Sequence, residues 1–136
     1  MRYLAIDYGE KRTGLAICDA GENVASPLKV ILGHGLLIPH ILEAIQRENV
    51  EAIVIGLPLN MDDTEGPQVK RVKAFAAELK KNTTIPIHFH DERLSSFEAE
   101  KKLSGIDLTR KRKKKRLDAI AAAGILQSFL DDKNAN

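Results

Sequence analysis

Three carboxylates stand where an apolar stretch of this chain begins or ends. Asp7 closes the run Leu4-Ala5-Ile6, Glu92 follows the stretch Ile85 to His90, and Asp118 heads Ala119-Ile120-Ala121-Ala122-Ala123. A bare carboxylate at such a place is costly unless it is hydrogen-bonded, paired, metal-bound or turned into a wet cleft. If the three converge, their repulsion is relieved by a divalent cation. Hard oxygen ligands without a histidine-cysteine cluster favour Mg²⁺ or Mn²⁺ over Zn²⁺. Two such ions roughly 4 Å apart activate a water and stabilise the leaving oxygen in phosphodiester hydrolysis. Each acid also has a plainer use. Asp7 could close a turn onto the amides of Gly9 and Glu10, Asp91 and Glu92 could pair with Arg93, and Asp118 could pair with Arg116 or Lys114.

The cations give this set a partner. Arg110, Lys111, Arg112, Lys113, Lys114, Lys115 and Arg116 are consecutive and hold one third of the 21 basic residues; without them 14 cations face 19 acids. The net charge of +2 therefore conceals a local basic segment. Its natural partner is a polyanion such as nucleic acid, the alternative being a solvated loop. No aromatic amphipathic face accompanies it, which argues against a membrane surface. Lys11 and Arg12, in the turn after Asp7, are candidates for phosphate contact or simply exposed turn cations. His88 and His90 share one strand face and are expected to pack or hydrogen-bond, with proton transfer as the chemical alternative.

The elements that must position these groups follow from the apolar period. Residues 2–7 and 13–18 form a predicted hairpin about Gly9 to Arg12, and 24–32 a third strand that Pro27 confines to an edge or a bulge. A helix over 35–49 precedes a continuous buried strand over 51–55, and Gly56, Pro58 and Asn60 belong to the loop after it, a candidate substrate contact. Pro67 opens a second helix, 85–90 is the fifth strand, Ser95 or Ser96 caps a short helix to Leu103, and a last helix runs from the basic segment to about Asp131. In the first strand Asp7 shares a face with Ala5 and Tyr3, while Leu4 and Ile6 face the other way. The small residues of the last helix allow close approach to that face. If the first and last strands are both near the centre of the sheet, their ends can be neighbours and the acids can meet.

The result is a single α/β domain over residues 1–132 with a tail over 133–136: a five-stranded mixed sheet, its first three strands an antiparallel meander, flanked by helices on both faces. At 136 residues and 43% apolar content, with no tryptophan, the chain suits one aliphatic core. The start shows no signal peptide and no run approaches membrane-spanning length, so a cytoplasmic protein is expected. The single cysteine, Cys18, reads as buried filler.

Four motifs in order carry a family resemblance: Asp7-Tyr8-Gly9 with Arg12-Thr13-Gly14, Gly56-Leu57-Pro58-Leu59-Asn60-Met61-Asp62, Asp91-Glu92-Arg93-Leu94-Ser95, and Asp118-Ala119-Ile120-Ala121-Ala122. The chain resembles the YqgF family of RNase H-like fold, Holliday-junction-resolvase-like proteins also described as pre-16S ribosomal RNA nucleases. The resemblance implies that Asp7, Glu92 and Asp118 are metal-binding catalytic carboxylates and that the protein matures the 5′ end of the small-subunit RNA precursor. Recombination or repair of branched DNA is the other role it carries. Arg93 joins Lys11, Arg12 and the basic segment as a candidate nucleic-acid contact. Asp63 stands where the family usually has glycine. Two other functions are open to these residues: an ATP-handling module built on the phosphate hairpin D-x-G-x-x-x-x-G, and a non-catalytic nucleic-acid or ribosome-binding factor. Monomer and homodimer are equally compatible with them.

Overall fold

The apolar run at the start of the chain becomes the middle of a sheet. The computed structural model describes residues 1–60, 62, 64–92 and 110–135, with 110–118 described in backbone only. β1 (Tyr3–Asp7) pairs antiparallel with β2 (Arg12–Cys18), and β2 antiparallel with β3 (Ala25–Leu32). On its other side β1 pairs in parallel with β4 (Ala52–Leu57), and β4 in parallel with β5 (Ile87–Asp91). The order is β3-β2-β1-β4-β5, the five-stranded mixed sheet of an RNase H-like protein, with the expected meander first. The condition for the strand ends to be neighbours is met only in part. β1 is central, but β5 is an edge strand, because the second parallel crossover adds β5 outside β4 rather than beside β1.

Both faces of the sheet are covered. α1 (Leu37–Arg47) buries Leu37, Ile41 and Ala44, a stripe at helical spacing, and α2 (Pro67–Lys80) buries Val69, Val72, Phe75, Ala76 and Leu79. Both pack on Leu4, Ile6, Leu15, Ile53 and Ile55. The other face carries Tyr3, Ala5, Ala16, Cys18, Ala52 and Val54, and against it lies α3 (Arg110–Asn134) through Ala122, Ile125, Leu126 and Leu130. The alternation of β1 is thus the predicted one, and small residues on both partners let helix and sheet come close. Each large aliphatic side chain fully buried in these layers contributes about 1.5–3 kcal/mol.

Local chemistry sets the boundaries. Pro27 lies on the edge strand β3, where the pairing shifts register between Leu15, opposite Lys29, and Ala16, opposite Pro27, leaving Leu28 as the extra residue of a bulge. Helix α1 starts later than expected because Gly33, at φ +71°, and the three residues after it form a loop. The tail of α3 lies at the amino end of β1: Phe129 meets Tyr3 edge-on at 5.2 Å, and Lys133 Nζ donates to Glu22 at 2.5 Å. Helix α3 therefore runs antiparallel to β1, and its first turns lie toward the carboxyl ends of β1 and β4. The short helix expected over residues 95–103 lies outside the described residues.

Candidate active site

The parallel register brings the acids to one end of the sheet. Ile6 of β1 is level with Ile55 of β4, so Asp7 is level with Gly56, which in turn pairs with His90 of β5. By alternation all three belong to the α3 face, as does Glu92 just past the end of β5. The Glu92 amide donates to the Leu57 carbonyl at 3.2 Å, extending the ladder by one step and fixing the backbone there.

Gly56 decides what that backbone position achieves. Expected in the loop after the strand, it is instead a buried residue inside β4. A Cβ at this point would stand 2.5 Å from Glu92 Oε2 and 2.7 Å from Ile125 Cδ1. The missing side chain is therefore a passage, through which the Glu92 carboxyl crosses β4 and hydrogen-bonds with Asp7. Burial pushes the Glu92 carboxyl above its ordinary value; the hydrogen bond with Asp7 pulls it back in part, and the charge of Asp91 raises it again. A glycine inside an apolar strand, followed in the next strand by an acid just past its end, is the signal that could have revealed this crossing.

Asp118 belongs to the same helix that seals the passage. It precedes Ala122 by four residues and Ile125 by seven, so its backbone position falls on their helical stripe, about 6 Å and about 10 Å nearer the start of α3. Its side chain, those of the basic segment 110–116, and Arg93 and Asp63 lie outside the described residues. Among the described residues no group of three or more His, Cys, Asp and Glu side chains is arranged to hold a metal ion. Asp7 and Glu92 supply two carboxylates of hard-oxygen chemistry, a pair whose juxtaposition suits a divalent cation.

The neighbouring turns are tight. A Cβ on Gly9 would lie 2.2 Å from the Arg12 carbonyl, so only glycine fits this hairpin. Arg12 shares the face of Gly14 and Asp7, and its buried Nε has no hydrogen-bond partner among the described residues. Lys11 is exposed beside it. After β4, the Leu59 amide returns to the Leu57 carbonyl at 3.0 Å around Pro58. The Asn60 side chain donates to Thr64 Oγ1 at 2.9 Å, and Thr64 donates from its amide and hydroxyl to Asp62. These hydrogen bonds from Thr64 hold the Asp62 carboxyl below its ordinary value. His90 Nε2 meets Ser128 Oγ at 2.8 Å, and His88 and His90 both lie against Phe129, so the two histidines bind α3 to the sheet.

With this geometry in place, comparison with known proteins is informative. The model of the RuvX family, described as a Holliday junction resolvase, matches residues 1–132. The chain belongs to the RuvX family. A relative from Syntrophomonas wolfei is 44% identical over 133 residues, covering 96% of this chain and 94% of its own length. Another, from Maridesulfovibrio salexigens, is 42% identical over 132 residues, covering 96% and 98%. Both are provisionally named pre-16S rRNA nucleases. Among solved structures, Thermus thermophilus RuvC in complex with a Holliday junction substrate superimposes with a TM-score of 0.61 at 16% identity, covering 98% of this chain and 96% of the other. The Fowlpox virus resolvase bound to junction DNA gives 0.57 at 15% identity, covering 98% and 99%. At such identities the likeness is one of fold. RuvX membership thus rests on the whole sequence, and the nuclease relatives match it nearly end to end. No helix among the described residues is long and apolar enough to cross a membrane.

Proposed function

We propose that this RuvX protein is a divalent-metal-dependent nuclease that hydrolyses phosphodiester bonds in the 5′-end maturation of pre-16S ribosomal RNA, in the cytoplasm. The observation that carries the reading is the passage at Gly56, which lets Glu92 reach Asp7 across an intervening strand. Asp7, Glu92 and Asp118 would hold Mg²⁺ or Mn²⁺. Such an ion, when bound, lowers the pKa of water and offsets charge developing on the phosphate.

The remaining work falls to the chain itself. Buried Ile125 lies over Gly56 beside the Glu92 carboxyl and gives it an apolar neighbour. The buried Nε of Arg12 is a donor on the same face as Asp7, suited to a phosphate oxygen. Lys11 and Arg93, with the cations of residues 110–116, would offset the charge of the polyanion as it approaches an acidic centre. Gly56, Pro58 and Asn60 would shape the neighbouring wall along which the backbone passes.

A second reading, cleavage of branched DNA, is favoured by the family description as a Holliday junction resolvase. One experiment separates them. Purified protein is incubated with labelled pre-16S RNA fragments, duplex RNA and four-way DNA junctions, in Mg²⁺, Mn²⁺ or EDTA, beside Asp7→Asn and Asp118→Asn. Metal-dependent cleavage of the RNA that both substitutions abolish is the expected result. Cleavage of the junction alone selects the second reading, and cleavage that survives both substitutions overturns the carboxylate mechanism.

A further inference from the structure

Directly after Asp7 the chain builds a stack of three rings. Tyr8 alternates onto the α1/α2 side of the sheet, where its ring lies on Phe75 of α2, with centroids 4.5 Å apart and planes 20° apart. On its opposite face sits His34, 5.0 Å away and again inclined by 20°. Phe75 is in the core, Tyr8 is half-buried and His34 is exposed. The stack therefore climbs from the interior to the surface beside the carboxyl end of β1.

His34 is held more firmly than an exposed loop residue needs to be. Its Nε2 donates to the Gly9 carbonyl at 2.8 Å, and the neighbouring Gly33 amide donates to the Lys11 carbonyl at 2.9 Å. The left-handed backbone of Gly33, at φ +71°, turns the chain so that both bonds form. The loop before α1 is thus fastened to the hairpin that carries Asp7, Lys11 and Arg12. Leu32 and Leu36, two residues to either side of His34 in the chain, are 58% and 65% exposed.

We infer that His34 is a fixed platform on which an unpaired nucleobase of the substrate stacks, extending the Phe75-Tyr8-His34 ladder by one ring. This rests on the nuclease reading for its substrate class. Covering Tyr8 needs no rigidly held, solvent-facing ring, whereas a preorganised aromatic surface beside phosphate-binding cations is what single-stranded nucleic acid requires. A paired base is unavailable for such stacking, so the platform selects an unpaired nucleotide next to the phosphate that Lys11 and Arg12 would contact.

The test uses full-length protein in EDTA, so that binding is read without cleavage. A single-stranded RNA carrying 2-aminopurine is titrated with wild type, His34→Ala, His34→Gln and His34→Phe, and a duplex of the same length serves as control. Stacking at one ring predicts that His34→Ala and His34→Gln bind the single strand about tenfold more weakly and lose the fluorescence quench. His34→Phe keeps both, and duplex affinity is the same in all four. Wild-type affinity and quench in His34→Ala, or retention by Gln with loss by Phe, overturns the platform. The nuclease reading is judged separately by cleavage in Mg²⁺: wild type that stacks the base without cutting refutes catalysis alone, and His34→Ala that binds and cuts as wild type refutes the platform alone.

Discussion

Two acids at opposite ends of the sheet show how differently one fold can treat a carboxylate. At the amino end of β1, Glu22 meets Lys133 Nζ at 2.5 Å and the N-terminal ammonium at 3.4 Å, and the bond from Lys133 holds its carboxyl below its ordinary value. At the carboxyl end, Glu92 faces Asp7 with Asp91 beside it and is raised above its ordinary value by burial. Glu22 has its counter-charge within the fold. Glu92 is brought by a gap in β4 to a second acid, Asp7, and the two supply the hard oxygen ligands that a divalent cation takes.

The largest break in that comparison comes from filling the gap. Gly56→Ala places a methyl where Glu92 Oε2 and Ile125 Cδ1 now lie, so one of them must move. Cleavage is expected to fall about 100-fold, since small displacements of a catalytic group cost that much. Overpacking is expected to lower stability by about 1–3 kcal/mol. Steady-state cleavage and urea unfolding on one preparation check both.

A smaller effect tests the charges themselves. A carboxyl raised in the folded state contributes stability while protonated and loses it as pH rises from its unfolded value through its folded one. Glu92→Gln is therefore expected to raise the urea midpoint of the metal-free protein at neutral pH. Glu22, lowered in the folded state, contributes above its unfolded value and loses that contribution as pH falls through the folded one. Glu22→Gln is accordingly expected to lower the midpoint at neutral pH, modestly because the pair is at the surface. Once pH has fallen below the folded and unfolded values of both carboxyls, each is protonated in both states and both substitutions become nearly silent. Shifts of the same sign at neutral pH would erase the contrast.

The smallest effect concerns approach rather than chemistry. Replacing Lys113, Lys114 and Lys115 together by alanine is expected to weaken single-stranded RNA binding and to reduce the salt dependence of log K by about 2. Fluorescence anisotropy across a salt series measures it, and an unchanged slope would remove the basic segment from the substrate path.

Much of this arrangement could be read from local pattern. The alternation that separates Tyr3, Ala5 and Asp7 from Leu4 and Ile6 follows from the pleat, and Pro27 announced its edge strand because it cannot donate to a ladder. The position of β5 could not be read that way, since an edge and a central site are equally reachable by a helical crossover. The role of Gly56 escaped for a related reason. Its partners, Glu92 and Ile125, are 36 and 69 residues away, and only the parallel register of β4 with β5 and the closeness of α3 bring them over it. The pairing of Asp7 with Glu92 was anticipated as a convergence of strand ends. Its route, through a glycine in the strand between them, is a property of packing that the alternation of single strands does not contain.

The central claim is that Asp7 and Glu92 form one cation site across Gly56, and calorimetric titration with Mn²⁺ tests it most directly. Wild type is expected to bind Mn²⁺ and to gain thermal stability with it, while Asp7→Asn and Glu92→Gln lose both the heat of binding and the stabilisation. Glu22→Gln keeps both. Mn²⁺ affinity and thermal shift unchanged from wild type in Asp7→Asn and Glu92→Gln would contradict the account.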